Sequence, residues 1–84
     1  MERPTWLDNA QIKISLDARE ILARGEHPLE RVLQESAMLK TGEIYEIITP
    51  FPPIPMIEKL NAKGFVSFSE QDQSGLFHTF FIPG

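Results

Sequence analysis

The chain has no cysteine. That excludes disulfide staples, thiolate metal centres and any reaction that needs a sulfur nucleophile. No apolar run approaches the roughly 20 residues that a membrane-crossing helix requires. Motifs with built-in chemistry are missing as well. There is no Gly-rich phosphate loop, no His-Glu-x-x-His and no Ser/His/Asp order, so no catalytic constellation emerges. Positive charge is scarce: 8 Lys and Arg stand against 12 Asp and Glu, for a net charge of −4. The basic residues Arg3, Lys13, Arg19, Arg24, Arg31, Lys40, Lys59 and Lys63 are scattered. Phosphate recognition needs such residues clustered, so nucleic acid is not the expected partner. The opening residues, Met1 to Trp6, lack the basic-then-apolar layout of a secretory signal. The expected location is cytoplasmic, with no membrane partner and no cofactor. No repeat and no low-complexity tract interrupts the chain.

What is present suits one small folded unit. At 84 residues the chain holds a single domain, and 42% hydrophobic with 24% charged residues rules out a disorder-type composition. Ile12-Lys13-Ile14-Ser15-Leu16 alternates apolar and polar, the period of a half-buried strand. Asp17 to Gly25 has room for one helical turn, with Gly25 as its stop. The spacing of Leu29, Val32, Leu33, Ser36 and Ala37 predicts a helix from His27 to about Leu39, with Pro28 at its first position. Glu43 to Thr49 is rich in β-branched residues and reads as a second strand. The prolines of Pro50-Phe51-Pro52-Pro53-Ile54-Pro55 rule out a central strand and form a stiff link. A second helix follows from Pro53 or Pro55 to Lys63, with Met56, Ile57 and Leu60 as its buried stripe. Phe65 to Glu70 and Leu76 to Ile82 are strands joined by the polar turn Gln71 to Gly75.

The order β-α-β-α-β-β predicts an α+β two-layer sandwich: a mixed four-stranded sheet with both helices on one face. Two strand–helix–strand units imply parallel neighbours, and the terminal hairpin adds one antiparallel strand. Residues 12–82 form this core. Residues 1–11, with the apolar pair Trp6-Leu7, either fold back over the open sheet face or fray.

Leu16-Asp17-Ala18-Arg19, then His27-Pro28, then Ile54-Pro55 before the second helix, resemble in order and spacing the TusA/SirA-like family. That family carries an Asp-x-Arg-Gly-Leu-x-Cys-Pro-x-Pro motif between first strand and first helix. Here Gly25 falls where the cysteine would stand, and the stretch from Glu20 to Glu26 is longer. The chain is more similar to a cysteine-less sister group of unknown function, with a His-Pro-Leu helix start like His27-Pro28-Leu29 and a Pro-x-Pro like Pro53-Ile54-Pro55. Phe51-Pro52 stands where that group often places acidic and His residues. The resemblance implies a sulfur-carrier scaffold without the atom that carries sulfur.

Two candidate sites follow. Ligands favour the carboxyl ends of parallel strands and the helix starts beside them. Asp17, Arg19, Arg24, Glu26 and His27 gather at such a corner and make a candidate site for a small anion or other small ligand. The plainer alternatives are loop-pinning ion pairs and a His27 whose ring caps the helix or packs beside Pro28. The other candidate is the sheet. The last strand is apolar on both faces, and a two-layer fold leaves one of them open. Phe65, Phe77 and Phe81 are assigned to that open face, as an interface for a protein partner or a second copy of the chain. No metal-ligand spacing links His27 with His78. The expected function is a non-catalytic protein-interaction or small-ligand-binding module. The alternative is an accessory component of a sulfur or redox pathway that uses His27 or a bound metal.

Overall fold

A computed structural model describes residues 3–9 and 11–84; of the N-terminal segment, residues 1, 2 and 10 lie outside the described residues. The elements run α1 (Thr5–Asn9), β1 (Gln11–Asp17), α2 (Arg19–Ala23), α3 (Leu29–Ser36), β2 (Glu43–Thr49), α4 (Ile54–Ala62), β3 (Phe65–Gln71) and β4 (Phe77–Pro83). The chain is an α+β domain built on one mixed four-stranded sheet.

The strand order is β1-β2-β4-β3. β1 and β2 are parallel neighbours. β4 runs antiparallel to both β2 and β3 and lies between them. The expectation that the second strand–helix–strand unit gives adjacent strands therefore fails in one respect: β2 and β3 are parallel but separated. Burial explains the insertion. Thr79, Phe80, Phe81 and Ile82 are buried in succession, and so are Ile44 and Tyr45 of β2. Strands apolar on both faces belong in the middle of a sheet. β3, with Ser67, Ser69, Glu70 and Gln71, is left at an edge where polar side chains meet water. The other edge, β1, is interrupted between Ile12 and Ile14, so that Lys13 has no register partner. A bulge bearing a lysine is a common device against edge-to-edge association.

α3 presents Leu29, Val32, Leu33 and Ser36 to the sheet, and α4 presents Met56, Ile57 and Leu60, as their spacing predicts. With Leu16, Ala18, Tyr45, Ile47 and Phe81 these residues make the main core. Tyr45 is fully buried and its hydroxyl donates to a Glu35 carboxylate oxygen at 2.6 Å, tying β2 to α3. Burial and that neighbouring carboxylate push the phenol well above its ordinary range.

α3 is shorter than predicted, ending at Ser36 rather than near Leu39. Met38 and Leu39 donate to carbonyls three residues back, which tightens the last turn and stops the α-helix. α4 stops at Gly64, whose φ of +95° is the left-handed geometry that an ordinary side chain resists.

The second sheet face is not bare. α1 lies on it, and Leu7 joins Ile44, Phe80 and Ile82 in a smaller cluster, with Trp6 and Phe68 packed alongside. Of the two readings of the N-terminal segment, coverage is the one seen. Val66 remains 45% exposed at the edge of this cluster. Phe81→Ala is expected to destabilise the domain by about 3–5 kcal/mol, because it empties a fully enclosed site. Val66→Ala should change stability by no more than about 0.5 kcal/mol. Urea denaturation followed by tryptophan fluorescence compares the two; equal losses would contradict this assignment of faces.

Candidate functional site

The carboxyl ends of β1 and β2 lie side by side, with Asp17 opposite Ile48 in the parallel register. Ala18 extends the parallel ladder by donating its amide to the Ile48 carbonyl at 3.0 Å, and α2 starts at the next residue. Here Asp17 and Arg19 engage each other. The Arg19 amide and Nε donate to Asp17 Oδ1 at 3.1 and 3.0 Å, and Nη2 donates to Oδ2 at 2.6 Å. The Arg19 hydrogen bonds hold the Asp17 carboxyl below its usual range, and the carboxylate in turn raises the guanidinium. The pair lines an open depression with Glu20 and Ala23.

Arg24 and Glu26 form a separate, looser pair at 3.4 Å, with both side chains largely exposed. His27 takes no part in either pair. It lines a groove of about 170 Å³ with Leu22, Pro28, Leu29, Phe51, Pro53, Pro55 and Met56. The stiff link explains the groove. Pro53 precedes α4 and Pro28 precedes α3, and neither helix has a side-chain cap. His27 therefore does not cap α3. The two proline-led helix starts leave a cleft walled by aliphatic, proline and aromatic carbon, with one imidazole at its rim. Phe51 and the adjacent Ile54 are 48% and 54% exposed. The five corner residues thus divide into an ion pair beside one depression, a second surface pair, and a histidine at an apolar groove.

The expected partner face needs correction. Phe81 is fully buried in the helix-side core and Phe65 packs against the same cluster. Phe77 shares their face of the sheet and is half-buried. These three belong to the helix-covered side; alternation separates the two faces of a strand but does not say which one the helices take. The opposite face carries Phe80 and Ile82, and those lie beneath α1.

That opposite face also holds a polar cluster that sequence reasoning missed. His78 stands between two carboxylates, with Nδ1 2.9 Å from Glu46 Oε2 and Nε2 2.7 Å from Asp72 Oδ2. Ser15 Oγ donates to Glu46 Oε1 at 2.8 Å. Glu46 and His78 lie 32 positions apart. Only the β2–β4 register joins them, so no local motif could announce the cluster. Among the described residues no group of three or more potential ligands is arranged to hold a metal ion, and no helix is long and apolar enough to cross a membrane.

No family model matches this chain, and neither a curated protein nor a solved structure matches it.

Arg19→Ala is expected to raise the Asp17 pKa toward 3.8, with only a small stability loss because the pair is exposed. A depressed carboxylate stabilises the fold above its unfolded pKa and stops doing so as pH falls. The stability gap between wild type and variant should therefore close below about pH 4. Carboxyl-carbon NMR titration together with urea midpoints checks both statements.

Proposed function

We propose that this chain is a non-catalytic interaction module on a TusA/SirA-like scaffold, and that its groove beside His27 receives an apolar side chain of a protein partner. The observation that carries this reading is the groove itself: about 170 Å³, walled by Leu22, Pro28, Leu29, Phe51, Pro53, Pro55 and Met56. Cofactor and drug-sized sites run to roughly 300–1,000 Å³. A cleft below that range holds one side chain or the apolar end of a small molecule. Two of its surroundings favour a protein. Phe51 and Ile54 extend the apolar surface beyond the cleft, as the rim of a contact patch would. Three of the eight lining residues are proline, whose fixed backbone helps keep the cleft formed before anything enters, which lowers the ordering entropy that opposes docking. His27 adds a polar atom that can fix the orientation of an incoming backbone or side chain.

Phe51→Asp places a charge at the rim while leaving the core untouched. Wild type should retain a partner from source-cell extract that Phe51→Asp loses. Branched-alkyl and aryl amides, titrated into labelled wild type, should shift the amides of Leu22, Leu29 and Met56. Identical partner sets for the two proteins, with no shifts at the groove, would end the proposal. Shifts with small carboxylates but no partner loss would identify a small-ligand site instead.

A further inference from the structure

We propose that His78 is a proton-operated clasp: as an imidazolium it pins the turn between β3 and β4 to strand β2, and on losing a proton it releases that turn. The geometry requires the charged form. Ionised carboxylates only accept hydrogen bonds, so each ring nitrogen facing one must carry a hydrogen. Nδ1 faces Glu46 at 2.9 Å and Nε2 faces Asp72 at 2.7 Å. A neutral imidazole has a single N–H and would aim a lone pair at one of the two oxygens, so one contact must open.

The two sides of the clasp are unequal. Glu46 belongs to a central strand, its side chain is 15% exposed, and Ser15 holds its other oxygen. Asp72 belongs to the exposed turn, and its side chain is 35% exposed. Asp72 organises that turn from within. Its Oδ1 accepts from the Ser74 amide at 2.9 Å, the Ser74 hydroxyl at 2.6 Å and the Leu76 amide at 3.1 Å. Its backbone closes the turn through Leu76 and Gly75. Its Oδ2 is left to His78. The turn can therefore come away as a unit, keeping its own hydrogen bonds while it loses its side-chain tie to the sheet.

The surroundings favour the proton. From β1, Asp17 adds negative charge at His78, and Arg19 of α2 sits near enough to act on Asp72. From β3, Glu70 is the register neighbour of His78 and is paired with Arg3 at 3.3 Å. With Glu46 of β2 and Asp72 of the turn, four carboxylates lie around one imidazole, against two guanidiniums. The hydrogen bonds to Glu46, then to Asp72, raise His78 above its ordinary value of 6.5. The Ser74 hydroxyl, then His78, hold Asp72 well below the usual carboxylate range. A raised histidine stabilises below its unfolded pKa and ceases to as pH rises through its folded value; a depressed carboxylate fails only in strong acid. The clasp is thus shut in mild acid and opens as pH rises through the raised His78 value.

The test is NMR on the labelled full chain between about pH 5 and pH 9, the range that brackets histidine titration. The His78 ring signal is assigned by comparison with His27→Ala. His78 should titrate above 6.5. The Ser74 and Leu76 amides should shift with the same midpoint while keeping their bonds to Asp72. Asp72→Asn keeps an acceptor for the turn and removes the charge at Nε2, so the His78 midpoint should fall. In His78→Gln the turn amides should show no titration step at the wild-type midpoint. A His78 midpoint at or below 6.5, turn amides that ignore it, or an Asp72→Asn variant that leaves it unmoved would each overturn the proposal.

Discussion

A strand that is apolar on both faces has to be covered twice, and in this domain that strand is β4. Phe81 points to the helices and Phe80 and Ile82 point away from them, all buried. Had β4 stayed at the edge, as chain order alone would place it, this surface would meet water along one side. Inserting it between β2 and β3 supplies hydrogen-bond partners on both sides and leaves only the faces to be covered. α3 and α4 cover one. The short helix α1 covers part of the other through Trp6 and Leu7, which gives a segment with no periodicity of its own a packing role.

The same arrangement sets where polar chemistry sits. At one end of the outer face α1 shields Ile44, Phe80 and Ile82. Toward the other end the face carries Ser15, Glu46 and His78, linked through Asp72 to the turn. The carboxyl ends of β1 and β2 lead to two unlike surfaces. One is the charged depression of Asp17 and Arg19, which are already paired with each other. The other is the dry groove between the proline-led starts of α3 and α4. Charges that already have partners offer little to a ligand, whereas apolar carbon left exposed at a preformed cleft gains by being covered.

Much of this was legible beforehand. Alternation in Ile14 to Leu16 and the apolar stripes of Leu29–Ser36 and Met56–Leu60 each report a local period that survives folding, whereas the bulge at Lys13 breaks the period and leaves Ile12 exposed. Gly25 follows the end of α2 as expected, because a left-handed residue is a property of one position. Other features were not legible, for one shared reason. The place of β4, the inward side of Phe65, Phe77 and Phe81, and the Glu46–His78–Asp72 contact all depend on which strand lies beside which. His27 belongs here too: its spacing marked a helix start, but its apolar surroundings come from a link more than twenty residues further on.

Read as a string, the chain specified its elements, its fold class and the absence of thiol chemistry, because periodicity, turn residues and composition act over short range or over none. Register, strand order and the partners of each charged side chain emerged only with the folded sheet. They are contacts between distant residues, chosen by the requirement that every apolar face be covered and every buried polar group be paired.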